Sequence, residues 1–199
     1  MSTRYLPLFV YGTLKLGSRG FGSSLKAAVT EFAPAYLREA SLYIGASYPM
    51  AIRSIGGTGI VGQVLLIEQR LFEETLEELD EYEGYLGEGD PNNMYTRQIV
   101  RVEVFPDKDS TWEGPTQEVQ AYVYMATADS FRDHRDELVL SPSGDWENHE
   151  GEWEELSPAL EDTQDPNIDE RFSDDEDELD RKSRAGHYLA PLPPATRDC

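Results

Sequence analysis

Short runs of alternating or continuous apolar residues, closed by glycine or proline, constrain this chain more than any other feature. Residues 94–105 place Val100, Val102 and Val104 on one side and Arg101 and Glu103 on the other, and Pro106 closes the run. A two-residue period of this kind belongs to a half-buried β-strand. Residues 118–126 repeat it, with Val119, Ala121, Val123 and Met125 on one face and Tyr122 and Tyr124 on the other. Residues 5–11 form a short apolar run that stops at Gly12, which suits a buried strand and a turn. Residues 59–67 carry Ile60, Val61, Val64, Leu65, Leu66 and Ile67, another strand. Residues 41–52 read as a strand interrupted by Pro49, which puts its second half at a sheet edge or bend.

Two intervals read as helix. Over residues 70–85, Phe72, Leu76 and Leu79 recur at i, i+4 and i+7 with glutamates between them, the stripe of an amphipathic helix. Beyond the glycine-rich loop of residues 16–23, Ser23 or Ser24 is a candidate cap for a helix reaching about Phe32, which Pro34 would end. The expected fold is therefore α+β, mainly β, with flanking helices.

The character changes after Leu140. The chain carries a formal charge of −22, and residues 141–199 hold eighteen acidic residues against five basic ones. Such a segment buries too little apolar surface to offset its ordering cost, and residues 164–180 are expected to be disordered. Trp146 and Trp153 are exceptions that could dock back on the body. We expect a domain over residues 1–140 and an acidic, partly disordered tail over 141–199, a surface for a protein partner. The charge argues against nucleic acid, which needs clustered Lys and Arg. No apolar run approaches the roughly 20 residues of a membrane helix, and the opening residues lack a signal-peptide pattern. The only cysteine is Cys199, so no internal disulfide can form, and a cytoplasmic setting is expected. No cofactor or metal is expected. His134, His149 and His187 are scattered among charges without ligand spacing and read as solvated surface.

Two places can carry chemistry. With 100° per residue from Phe72, Leu76 falls at about 40°, Leu79 at about −20° and Glu83 at about 20°. Glu83 then sits in the apolar stripe, whereas Glu81 falls at about 180°, on the water side. A carboxylate turned toward a core has its pKa raised and becomes a candidate general acid/base. The alternative on periodicity alone is a helix that frays at Tyr82, with Glu83 as a local cap. The second place is Tyr11-Gly12-Thr13-Leu14, where a strand ends in a glycine turn. Unpaired backbone N–H groups there could hold a carboxylate as a nest, with Lys15 adjacent, or the turn is simply a connection.

Phe9-Val10-Tyr11-Gly12-Thr13-Leu14-Lys15 with Gly17 resembles the opening motif of the gamma-glutamylcyclotransferase-like family, which includes the gamma-glutamylamine cyclotransferases and the AIG2-like group. Further blocks follow in the family's order: Leu42-Tyr43 with Tyr48-Pro49, Val61-Gly62-Gln63-Val64, Leu79-Asp80-Glu81-Tyr82-Glu83-Gly84 with Tyr95-Thr96-Arg97, and Ala121-Tyr122-Val123-Tyr124. The resemblance spans residues 5–126. It implies a small, mostly antiparallel barrel with a pocket at one mouth. It further implies that Glu83 is the catalytic carboxylate and that Tyr11, Gly12, Thr13 and Leu14 bind the glutamyl end of a small γ-glutamyl substrate. The reaction implied is release of an amine or amino acid with formation of 5-oxoproline. The competing expectation is a non-catalytic metabolite- or protein-binding module on the same barrel. The sequence departs from the family in a longer link at residues 86–93 and in the acidic tail. Tyr95 and Arg97 share a strand face, where Arg97 could brace the site or form an exterior cation–π contact or ion pair.

Overall fold

The computed structural model describes residues 3–18, 22–45, 47–106 and 116–148. All of them fall in the first of two units, Met1–Ser157; the second, Pro158–Cys199, lies outside the described residues. So do Trp153, His149, His187 and the segment 164–180.

Five strands close a barrel. They are β1 (Leu8–Val10), β2 (Val29–Leu37), β5 (Ile60–Ile67), β6 (Tyr95–Val104) and β7 (Gln117–Ala126), in the order β1-β5-β2-β6-β7. Every pairing is antiparallel except β1 with β7, which is parallel at Leu8↔Tyr122. A second, three-stranded sheet has the order β4-β3-β8, from β3 (Ala40–Ile44), β4 (Pro49–Arg53) and β8 (Val139–Leu140). The expected mainly β, mostly antiparallel barrel is the observed fold. Among the described residues no helix is long and apolar enough to cross a membrane.

Alternation along the strands sorts side chains into two cores. Phe9, Ala33, Ala35, Val102, Ala121, Val123 and Met125 share one cluster. Their strand neighbours Leu8, Val10, Leu65, Tyr122 and Tyr124 join the other, which lies with the helices α1 (Ser23–Ala28) and α2 (Phe72–Tyr82). Opposite faces of one strand serve different cores because successive Cβ atoms point to opposite sides. The tyrosines at 122 and 124 are therefore buried rather than solvated.

Three expectations change. The first helix ends at Ala28, not Phe32, and Pro34 sits inside β2. Val29, Thr30 and Phe32 favour a pleated, half-buried surface, and Ala33, Ala35 and Leu37 supply its buried face. Pro34 is tolerated because β2 meets β6 only at Ala35 and Tyr36, so little of the ladder on that side needs its missing N–H. The N-cap of α1 is Gly22, and Ser24 instead donates to Glu78 on α2 at 2.5 Å. Residues 41–52 form a hairpin of two strands rather than one interrupted strand. Pro49 opens the second, on the sheet edge.

Packing also continues past Leu140, where composition places the domain boundary. Ser141 donates its N–H to the Leu42 carbonyl at 2.8 Å, and the Gly144 carbonyl accepts from Val61 at 2.9 Å. Trp146 is buried in the same core as Phe9 and Tyr11. One indole can anchor a charged segment, because its buried area outweighs several solvated neighbours. His134 is not simply solvated either. Its Nδ1 lies 2.8 Å from the Ser130 carbonyl and its ring meets Tyr48 edge-on.

Candidate active site

The turn after β1 is closed by the Lys15 N–H donating to the Gly12 carbonyl at 3.0 Å, and continued by Ser18 donating to the Lys15 carbonyl at 2.9 Å. Gln63 Oε1 accepts from the Leu16 N–H at 2.8 Å, tying the turn to β5. Among the described residues, no protein acceptor takes the backbone N–H of Gly12, Thr13 or Leu14. Gly12 and Leu14 are buried. Buried backbone donors are rarely left unpaired, so two buried ones, with the half-buried Thr13 between them, mark this turn as a place for an external acceptor. Glycine is required at position 12 by close approach. A Cβ there would stand 2.5 Å from Pro49 Cγ.

Helix α2 delivers the carboxylate. Phe72, Thr75, Leu76 and Leu79 are buried on one face, while Glu73, Glu74, Glu77, Glu78 and Glu81 are exposed. Burying Phe72, Leu76 and Leu79 stabilises the docking by about 1.5–3 kcal/mol each. The helix ends at Tyr82 in a Schellman arrangement. Gly84 donates to Glu81 at 3.3 Å and Tyr85 to Asp80 at 2.8 Å, with Gly84 at φ 64°. That left-handed residue is where glycine is favoured. Glu83 is the C-cap, so its direction is set by a defined helix end rather than by fraying.

The Glu83 side chain keeps part of its surface open, yet protein mass crowds it, and burial lifts its pKa to about 7. Among the described residues no side-chain hydrogen bond or ion pair reaches it, and burial alone acts on its pKa. Two tyrosines stand near it. Burial first, then the Glu83 charge, pushes the Tyr11 hydroxyl well above its ordinary value; burial, Tyr11 and Glu83 do the same to Tyr95. Both phenols are oriented by backbone: Tyr11 donates to the Tyr124 carbonyl at 2.9 Å and Tyr95 to the Pro49 carbonyl at 3.1 Å. The structure thus brings Glu83 near Tyr11, the first residue of the turn.

Asp80, one turn earlier on α2, is engaged differently. Tyr124 donates to its Oδ1 at 2.6 Å, and Arg97 Nη1 reaches both oxygens at 3.0 and 2.8 Å. The Arg97 guanidinium also lies over the Tyr85 and Tyr122 rings. Arg97 forms both the ion pair and the cation–π contact that its strand position suggests, and it braces the end of α2. Sequence reasoning passed over Asp80 and Tyr124. On the helical wheel Asp80 falls at about 80°, the flank of the apolar stripe, which is the signal that marks it.

Two side chains of the long link after Gly84 tie it together: Asp90 Oδ1 accepts from the Asn92 N–H at 2.9 Å and from Asn92 Nδ2 at 3.1 Å, and Asn93 spans it. Asn93 is buried, accepts from the Leu86 N–H at 2.6 Å and donates to the Gly87 carbonyl at 2.7 Å. Lys15 is buried too. Its ammonium meets Asp145 at 3.3 Å and Glu147 at 2.9 Å. A separate apolar cavity of about 220 Å³, lined by Pro7, Phe32, Ala33, Val64 and Val119 among others, lies at the opposite end of β1 from Gly12 and includes neither Glu83 nor the turn. Among the described residues no cluster of His, Cys, Asp or Glu is placed to hold a metal ion.

A family model described as gamma-glutamyl cyclotransferase, AIG2-like, matches residues 8–148. The chain belongs to that family. The matched span runs from the first residue of β1 to the end of the Trp146–Asn148 helical turn. No curated protein matches at a significant level of similarity. Similar solved structures include an AIG2-like protein of Mus musculus, 22% identical, covering 63% of this chain and 79% of that one with a TM-score of 0.46. Protein ytfP of Escherichia coli is 24% identical, with 73% and 99% covered and a TM-score of 0.43. Protein PH0828 of Pyrococcus horikoshii is 16% identical, with 77% and 99% covered and a TM-score of 0.44. None of these scores reaches 0.5, and family membership rests on the sequence match.

Proposed function

We propose that this protein is a cyclotransferase that releases an amine or amino acid from a γ-glutamyl compound while the glutamyl part closes to 5-oxoproline, with Glu83 as general acid/base. The observation that carries the reading is a single one: a half-buried carboxyl with no side-chain partner among the described residues and a pKa of about 7 bears on the Tyr11 hydroxyl, and Tyr11 opens a turn whose Gly12, Thr13 and Leu14 N–H groups have no protein acceptor among the described residues. The substrate's α-carboxylate takes those donors, with Tyr11, Gly12, Thr13 and Leu14 forming the glutamyl site. Held there, the glutamyl chain curls so that its α-amine faces its own γ-carbonyl, and proximity replaces an enzymic nucleophile. The amine nitrogen attacks the carbonyl carbon and a C–N bond forms. The Glu83 carboxylate accepts the proton that the attacking amine gives up. It then donates that proton to the leaving nitrogen as the old C–N bond breaks, and Glu83 returns to its starting state. A pKa near the working pH suits a group that must do both.

Family membership supports the reaction class, and the one cysteine, Cys199, supports the cytoplasmic setting that forms part of the proposal. The test is incubation of the full chain with a panel of γ-glutamyl amines and γ-glutamyl dipeptides, assayed for 5-oxoproline and for the freed amine in equal amounts. Formation of both from at least one panel member is the expected result. Saturable binding of a γ-glutamyl compound with no product would overturn the catalytic reading in favour of a binding module.

A further inference from the structure

The lysine that ends the Tyr11-Gly12-Thr13-Leu14-Lys15 motif is not turned toward a ligand. Its side chain is 4% exposed and meets two carboxylates, Asp145 and Glu147. Those acids flank Trp146, which is buried in the same core as Phe9 and Tyr11. The same short segment is pinned on two other strands. Ser141 donates to Leu42 in β3, Val61 in β5 donates to Gly144, and Gly144 donates to Ser141 Oγ at 2.9 Å. A stretch that composition assigns to an acidic tail therefore has four anchor points, and two of them act on the turn or on the residues leading into it.

We infer that residues 141–148 form a strap that positions the 11–14 turn, with Asp145 and Glu147 gripping Lys15 so that the N–H groups of Gly12, Thr13 and Leu14 stay presented to the substrate carboxylate. The inference deepens the cyclotransferase reading and rests on it for the identity of that carboxylate. The physical reason is directional. The Lys15 backbone N–H closes the turn onto Gly12, so fixing the ammonium of that residue's side chain helps to fix the plane of the turn. The alternative role for Lys15, a direct ligand for the substrate, predicts the opposite response when the acids are neutralised. A lysine released from two carboxylates would attract the substrate anion more strongly, whereas a turn released from its strap would hold it less well.

The experiment uses the full chain with Asp145→Asn and Glu147→Gln together, and Glu147→Gln alone. The single variant leaves Asp145 on the ammonium and keeps the test alive if the double variant fails to fold, since an unpaired buried charge is destabilising. With a γ-glutamyl amine as substrate, KM rises roughly 2- to 30-fold in the double variant, the range expected for coupling through a packed network, and kcat stays within about two-fold because Glu83 is untouched. The single variant shifts KM in the same direction by less. Amide exchange at Lys15, Leu16 and Ser18, whose N–H groups close and anchor the turn, quickens in the variants, while exchange across residues 64–67 of β5, beyond the strap's bond to Val61, does not. A KM that falls overturns the strap and makes Lys15 a substrate ligand. Unchanged KM with unchanged exchange also overturns it. Should the native chain form no 5-oxoproline, the cyclotransferase reading fails separately, and the exchange measurement alone decides the strap.

Discussion

Asp80 and Glu83 stand one turn apart on the same helix end, and burial raises the pKa of both. Their surroundings then diverge. Asp80 is met by the Tyr124 hydroxyl and the Arg97 guanidinium, which pull its pKa back down. Glu83 has only burial acting on it, and its pKa reaches about 7. One carboxylate is a clamp and the other is left poised. The comparison teaches that helix amphipathicity places acids at a core, while the partners arriving from distant strands decide which acid is structural and which can exchange protons. Arg97 and Tyr124 come from β6 and β7, 17 and 44 residues along from Asp80.

The sharpest way to break this contrast is to remove each proton-exchanging group in turn. Glu83→Gln keeps shape and loses proton transfer, so turnover should fall by about 10²–10⁴ with KM largely kept. Its fold should survive, because a neutral amide is easier to bury than a carboxylate. Glu81→Gln, on the exposed face, is the control and should change 5-oxoproline release little. Equal behaviour of the two variants would remove Glu83 from the mechanism.

Gly12→Val tests the other half of the site. Its Cβ meets Pro49, and a β-branched side chain stiffens the turn. KM should rise by on the order of ten-fold or more, in line with losing a well-placed charge-assisted hydrogen bond at about 1.5–3 kcal/mol. Normal KM and turnover would mean that the turn does not hold the glutamyl end.

Asp80→Asn should show the clamp's signature instead of the catalyst's. Arg97 loses its counter-charge in a half-buried site, and unfolding by denaturant should register about 2 kcal/mol of lost stability. Adding Arg97→Met should recover part of it. If Asp80→Asn abolished turnover with stability intact, the assignment of roles at the helix end would be reversed.

The pH dependence is a smaller effect with a definite sign. The Glu83 pKa is about 7 in the folded protein against an ordinary 4.5, so folding takes up a proton between those values. Its contribution to stability is therefore fully present below about pH 4.5 and is lost as pH rises to about 7. Stability of the native chain, measured relative to Glu83→Gln, should fall across that window and then level off. A flat difference would mean that Glu83 titrates normally.

The smallest effect should come from truncation after Ala159. The residues removed lie beyond the family match, which ends at residue 148. Fold, turnover and the Glu83 titration midpoint should all remain. A shifted midpoint would tie the remaining acidic residues to the site.

Several features were legible in the residues alone. Two-residue alternation marked β6 and β7, and the 3.6-residue period marked α2 and turned Glu83 toward the core. Both are local signals that need no knowledge of what lies opposite. Misreadings arose where local signals conflicted. Residues 29–34 follow a helix start and contain a proline, yet they extend into β2 because β5 lies alongside them over eight paired positions from Val29↔Ile67 to Leu37↔Ile60. Charge made residues 141–148 look like tail, although Trp146 packs into the core and Asp145 and Glu147 pair with the buried Lys15.

The sequence by itself determined four of the five barrel strands, the stripe of α2, the glycine turn and the identity of the one acid in that stripe, but not β2. Tertiary structure decided that, among the described residues, Glu83 meets no side-chain partner while Asp80 meets Arg97 and Tyr124, that three N–H groups of the turn find no protein acceptor there, and that Lys15 is held by Asp145 and Glu147. Those facts depend on residues far apart in the chain. Periodicity reports which way a side chain points, but desolvation and pairing depend on what the fold brings to meet it.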